Sequence, residues 1–241
     1  MARRRQPFRV LEQELARTHP EVHDPRAAIL SGDVLVDGIA RTNPASLVRP
    51  DAPITLRRPH PLRGRGKLAF ALDTFDVEVR GRTALDVGAA AGGFTLALLE
   101  AGVRRVYALD AGHGQLLGSL RVDSRVVNLE ATNLSRLEAS LVPETIDVVV
   151  FDLSYLALRD AVPQTSRIDV AAGADAVALV KPQFELHRAG LTTSRPDLGA
   201  AAGSAAEGFT SAGWRVVAMS ESPIRGARGS VELLLHARRG G

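Results

Sequence analysis

The sequence predicts an α/β protein built around a doubly wound, mostly parallel sheet, with a small α+β module in front of it. Two observations carry this. After residue 80, short apolar runs alternate with helical stretches: TALDVGA, RVYALD, RVVNLE, IDVVVFDLS, DAVALVKP, WRVVAM and VELLLHA. These runs are apolar throughout, the mark of strands buried on both faces by crossover helices. A glycine-rich turn, LDVGAAAGGFT (85–95), joins the first run to the first helix.

The elements follow in order. FRVLEQELART (8–18) reads as a helix with Val10, Leu11 and Leu15 on one face. DPRAAILSGD (24–33) reads as a second, with Asp24 as cap and Pro25 in the first position. DVLVDGIART places an Asp-Gly turn between two short strands, and PITLRR gives another. Residues 1–58 form this first domain, and the Pro- and Gly-containing residues 59–66 a basic linker. Residues 67–241 form the second domain, opening on the helix KLAFALDTF. FTLALLEAG and GQLLGSLR fill helical positions between the early strands, with the polar ATNLSRLEASL after the third.

Composition narrows the function classes. The chain has no cysteine, which excludes disulfides and thiolate metal sites and fits a reducing cytoplasm. MARRR is followed by QPFRVLEQELARTHPEVH rather than an apolar segment, and no apolar run approaches the roughly 20 residues that span a bilayer. The expectation is a soluble cytoplasmic protein. The six histidines show no ligand spacing, so no metal is expected. Charge is uneven: residues 1–67 carry 13 Arg/Lys against 7 Asp/Glu, the remainder 17 against 20. A basic N-terminal segment points to a polyanion partner; a compositional preference for arginine is the competing explanation.

In the glycine turn, Gly88, Gly92 and Gly93 allow a tight bend and close approach to a ligand. The spacing is not that of dinucleotide enzymes, and no lysine follows to hold a triphosphate. Asp110, at the end of the second strand, can accept both ribose hydroxyls of a nucleoside. Glycine turn plus acidic strand end fits S-adenosylmethionine. The bland alternative is a turn that only packs a helix on a strand. The expected cofactor contacts are Asp86, Gly88, Ala89, Gly92, Gly93, Phe94, Asp110 and Asp152, with Asn133 facing the adenine.

LDVGAAAGGFT, YALDAGHGQL, FDLSYLAL, LVKPQFE and SPIRGARGSVELLL, in this order, resemble the TlyA (haemolysin A) family of S4-domain RNA 2′-O-ribose methyltransferases, related to the FtsJ enzymes. ILSGDVLVDG resembles an S4 RNA-binding module. The resemblance implies a Rossmann-like class I methyltransferase domain, an S4-like N-terminal domain and ribosomal RNA as substrate. It also implies a catalytic Lys-Asp-Lys-Glu set at Lys67, Asp152, Lys181 and Glu232.

The residues support that set independently. Asp152 ends the strand IDVVVFD, Lys181 ends DAVALVK, and Glu232 interrupts the apolar VELLL. Charges there need partners, and neighbouring strand ends can supply them. The chain holds only two lysines, Lys67 and Lys181, among 30 basic residues, and both fall in the set. A ribose hydroxyl needs its proton removed as the methyl arrives. A lysine, ordinarily titrating near ~10.4, can do this if lowered toward neutrality, whereas arginine stays protonated. Read singly, Lys181 could snorkel to solvent, Asp152 could cap a turn and Glu232 could sit on a solvated edge. RNA contacts are expected at Arg26, Arg41, Arg57, Arg58, Arg63 and Arg65. The rival functions are an RNA-binding protein with an inactive methyltransferase fold, a membrane-lytic haemolysin and a small-molecule methyltransferase.

Overall fold

The computed structural model describes residues 8–30, 32–56, 62–188, 194–226 and 229–240. The chain divides into two compact units: residues 1–61 with 117–123, and residues 62–116 with 124–241.

In the smaller unit, β1 (Arg9–Val10) runs straight into α1 (Leu11–Thr18), followed by α2 (Pro25–Leu30) and the strands β2 (Val34–Val36), β3 (Ile39–Ala40), β4 (Leu47–Val48) and β5 (Ile54–Leu56). The first helix starts three residues later than expected because Arg9 and Val10 pair with Val48 and Leu47. Asp24 Oδ1 accepts from the Ala27 amide at 2.9 Å, capping α2 ahead of Pro25. Asp37 and Gly38 take φ of 52° and 77°, the left-handed pair that turns β2 into β3. Leu11, Leu15, Ile29, Val34, Val36 and Val48 form a separate core. Glu14 is buried beside it, and hydrogen bonds from Arg17 and then Arg9 hold its carboxyl down at about 2.

The larger unit opens with α3 (Arg63–Thr74). This corrects the expected linker through residue 66: residues 63–66 are the first turn of a helix, and Lys67 lies in its second turn. The glycines misread as linker punctuation serve close packing. A Cβ on Gly64 would stand 3.2 Å from the Phe94 ring, and one on Gly66 would stand 2.6 Å from Ile224 Cδ1.

The chain then runs through β6 (Thr83–Val87), α4 (Gly93–Glu100) and β7 (Arg105–Leu109), and, after α5 (Gly118–Arg121) in the segment that belongs to the smaller unit, through β8 (Val126–Leu129). It continues through β9 (Ile146–Phe151), α6 (Leu158–Ala161), β10 (Val170–Val180), α7 (Pro182–Glu185), α8 (Arg195–Ser211), β11 (Trp214–Glu221) and β12 (Leu233–Arg239). The seven strands lie in the order β11-β12-β10-β9-β6-β7-β8. Only β12 runs against its neighbours; β10, β9, β6, β7 and β8 are parallel. The segment ATNLSRLEASL holds a single 3₁₀ turn, Leu134–Arg136, and the alanine-rich stretch near 200–206 lies in α8.

The chain leaves β6 toward β7 and β8, then crosses back to place β9 on the other side of β6. That reversal opens a crevice at the carboxyl ends of β6 and β9, where open α/β sheets bind ligands. Every residue of β6 is buried, as expected for a strand covered on both faces. The main core runs from Leu85 and Tyr107 through Val149 and Phe151 to Phe209 and Trp214, with Phe209 edge-on to both Phe151 and Trp214.

Candidate active site

At the crevice, Gly88 follows β6 with φ +93°, and a Cβ there would collide with the Asp152 carbonyl oxygen at 2.6 Å. Only glycine lets the ends of β6 and β9 approach this closely. The turn is tied to β7, the Gly88 and Ala89 amides both donating to Leu109 O. Asp110, next along the chain, accepts from Ala90 N at 2.8 Å and Gly112 N at 2.6 Å. These bonds fix the carboxylate and use two of about four lone-pair sites.

A cavity of about 340 Å³ lies here, lined by Gly88, Ala90, Asp110, Gln115, Ser154 and Tyr155 among others. A second, of about 310 Å³, is lined by all four residues of the expected catalytic set together with Arg63, Ser154, Gln183 and Phe184. Asp152 and Ser154 belong to both. Two adjoining chambers sharing a carboxylate suit a reaction between two bound molecules.

The catalytic set meets as two ion pairs. Lys67 Nζ lies 2.5 Å from Glu232 Oε2, with 7% and 3% of the side chains exposed. Lys181 Nζ lies 2.7 Å from Asp152 Oδ1, with 11% and 25% exposed, and donates to Ser154 Oγ at 2.8 Å. The Asp152 contact is off the hydrogen-bonding direction, which leaves Oδ1 buried without a donor. Lys181 is the cap residue between β10 and α7. Glu232 does not interrupt a strand, because β12 begins at Leu233; the glutamate sits just ahead of it and its carbonyl accepts from Ser222 N at 2.9 Å. Glu232 therefore partners Lys67, not Lys181.

Several expected cofactor contacts stand elsewhere. Phe94 is buried against α3, and a Cβ on Gly93 would meet Gly64 Cα at 3.1 Å, so both serve helix packing. Gly92 caps α4 with a left-handed backbone. Asn133 Oδ1 accepts from Ser135 N at 2.9 Å; its side chain caps a turn and lines neither cavity. Asp86 is fully buried, with Oδ2 accepting from Thr95 Oγ1 at 2.6 Å. Burial, supported by the negative charges of Asp152 and Asp110, pushes its carboxyl up to about 7 against the Thr95 bond.

Gln115, Ser154, Tyr155, Gln183 and Phe184 were not expected in the site. Their signal lies in position, each falling within a few residues of a strand's carboxyl end. Tyr155 is half exposed, and its hydroxyl is shifted upward by partial burial and by Asp110. Among the described residues no group of three or more His, Asp or Glu side chains could hold a metal ion.

Residues 62–239 match the family profile of FtsJ-like methyltransferases. The chain belongs to that family. It is 38% identical to the 16S/23S rRNA (cytidine-2′-O)-methyltransferase TlyA of Mycobacterium tuberculosis, over 99% of this chain and 91% of the relative. A solved structure from Streptococcus thermophilus, described as a candidate hemolysin, superposes with a TM-score of 0.71 at 26% identity, covering 97% of this chain and 89% of the other. An S-adenosylmethionine-dependent methyltransferase from Mesorhizobium loti shares the fold of the larger unit, with a TM-score of 0.52 at 20% identity, covering 74% of this chain and 100% of the other. The Rossmann-like methyltransferase fold of the FtsJ-like family is thus this chain's own.

Proposed function

We propose that this chain transfers the methyl group of S-adenosylmethionine to a ribose 2′-hydroxyl of ribosomal RNA, at a cytidine as in its mycobacterial relative. The observation that carries the reading is Lys181 in one chamber, paired with a carboxylate that lines both.

The residues of the 340 Å³ chamber fit the cofactor. Asp110 keeps lone pairs free for ribose hydroxyls, and the Gly88–Ala90 backbone leaves room for the adenosyl group. When bound, S-adenosylmethionine supplies an electrophilic methyl on a positively charged sulfur. Lys181 accepts the hydroxyl proton, and Asp152 and Ser154 hold its amine in place. The Lys67–Glu232 pair closes the far wall of the acceptor chamber. The rest is proximity, which alone can supply a large share of the acceleration.

Residues 1–58 serve as an S4-like RNA-docking domain, joined through the residues around 59–62 to the methyltransferase domain. Arg26 pairs with Glu12 at 3.4 Å and Arg65 with Glu100 at 2.7 Å. Arg63 donates to Gly226 O at 3.3 Å and opens onto the acceptor chamber; neither it nor Arg41 has a carboxylate partner among the described residues. Phosphate contacts are therefore led by Arg41 and Arg63, with Arg26 and Arg65 exchanging partners on binding. Arg57 and Arg58 lie outside the described residues. The chain acts in the cytoplasm, where ribosomal RNA is made. Among the described residues no helix is long and apolar enough to cross a membrane. The intact tetrad disfavours an inactive fold.

The test is transfer of labelled methyl from S-adenosylmethionine to purified ribosomal subunits, with mass-spectrometric mapping of the product. Incorporation at a cytidine 2′-oxygen is expected, and no incorporation into either subunit overturns the proposal. Affinity should fall linearly on a log–log salt plot as counterions are released, and less steeply for a chain lacking residues 1–58.

A further inference from the structure

Lys181 has two contacts of different kind. Asp152 Oδ1 approaches to 2.7 Å but out of line. Ser154 Oγ accepts a hydrogen bond from it at 2.8 Å. Coulomb attraction depends on distance and scarcely on direction, whereas a hydrogen bond weakens steeply when bent. Asp152 therefore keeps the nitrogen close, and it cannot by itself say where the nitrogen points.

Pointing matters for a base. A lysine ammonium carries three hydrogens; the neutral amine carries two and a lone pair, and that lone pair must face the acceptor hydroxyl. A four-carbon stem with rotatable donors leaves it free to turn. We propose that Ser154 is a positioning residue that aims Lys181 at the acceptor hydroxyl, supplying direction where Asp152 supplies charge. This rests on the proposed methyl transfer with Lys181 as base.

Three features set Ser154 apart from an ordinary exposed serine. It lines both chambers. Its hydroxyl has no hydrogen-bond partner other than Lys181 among the described residues. It is held in place by its neighbours rather than by its own packing, with Leu153 on one side buried in the core and Asp152 N bonded to Val87 O. A hydroxyl also adds direction without a second negative charge that would hold a proton on the amine. An Asp at this position would do the opposite.

The chain's two lysines make the test direct. Lysine labelled with ¹³C at Cε gives two side-chain signals, assigned with Lys67→Arg. In Ser154→Ala the Lys181 methylene should lose order by relaxation measurement while Lys67 keeps its own, and single-turnover methyl transfer should fall about 10–100-fold. The loss of rate should persist at saturating S-adenosylmethionine and RNA, which separates a loss of aim from a loss of binding. Ser154→Thr, which keeps the hydroxyl, should restore both order and rate. Unchanged Lys181 relaxation in Ser154→Ala, a parental transfer rate, or failure of threonine to rescue would each overturn the proposal. A parent protein that methylates no RNA sinks the function proposed above, and the relaxation comparison still decides for or against Ser154.

Discussion

The two lysine–carboxylate pairs share one chamber and differ in what else they touch. Lys67 and Glu232 are sealed, with side chains 7% and 3% exposed, and line the acceptor chamber alone. Lys181 and Asp152 are open at 11% and 25%, and Asp152 faces the second chamber as well. A sealed pair fixes charge and shape because neither member can leave its partner without a desolvation penalty. An open pair can exchange a partner for a substrate. On the proposed mechanism the same residue types at similar separations divide between wall and base, with the more exposed carboxylate, Asp152, on the side of the base.

The largest effect should come from the open pair. Lys181→Arg keeps the charge and removes the proton acceptor, since a guanidinium stays protonated and its planar fork is wider than an ammonium. Single-turnover transfer should drop ~10²–10⁴-fold, with S-adenosylmethionine affinity close to the parent's by calorimetry. A near-parental rate would erase the distinction between the pairs.

The sealed pair should answer in stability instead. Glu232→Gln strands the Lys67 cation in a site where the whole residue is 5% exposed, at a cost of about 3–5 kcal/mol in unfolding free energy measured with denaturant. Replacing both partners, as Lys67→Met with Glu232→Leu, should recover much of that stability. Activity lost with stability recovered would show that the wall also shapes the field around the acceptor.

The sequence made this contrast only partly legible. The alternation of strands and helices and the glycine turn were readable because each is local, and Asp152, Lys181 and Glu232 because each is a charge beside an apolar run. Which lysine pairs with which acid was not, since it depends on Glu232 preceding β12 by one residue and on α3 beginning at Arg63. Gly64 and Gly66 read as linker residues because sequence shows a missing side chain but not the Phe94 ring or Ile224 that needs the space. Phe94 and Asn133 were expected at the cofactor from sequence alone. An apolar residue or a turn former beside a ligand loop looks alike whether it faces the ligand or supports the loop.

A smaller effect tests the cofactor side of the open pair. Asp110 is fixed by two backbone amides and lines the same chamber as Asp152. Asp110→Ala removes a charge-assisted acceptor, worth roughly 1.5–3 kcal/mol for each bond it makes, so S-adenosylmethionine affinity should fall at least about 10-fold by calorimetry. Asp110→Asn should fall between the two. Unchanged affinity would move the cofactor's ribose elsewhere.

The smallest effect concerns the third acid, Asp86, whose carboxyl is raised to about 7 chiefly by burial, with Asp152 and Asp110 adding to the shift. The sign of the pH dependence follows from the direction of the shift. An aspartate in the unfolded chain titrates near ~3.9, so between there and about 7 the folded state holds a proton that the unfolded state releases. Stability from this group is therefore greatest in acid, declines as pH rises through that window by up to about 1.4 kcal/mol per unit, and levels off above it. Asp86→Asn keeps an acceptor for Thr95 and removes the titration. Glu185, buried and also shifted upward, gives a slope of the same sign in both proteins, and Glu14, held at about 2, titrates well below the window. The difference between parent and variant thus isolates Asp86. Denaturant midpoints taken at half-unit steps from pH 5 to pH 8 should fall more steeply for the parent, and the curves should run parallel above about pH 7.5. Parallel curves throughout would mean that Asp86 is ionised across the range, placing a second negative charge behind Asp152.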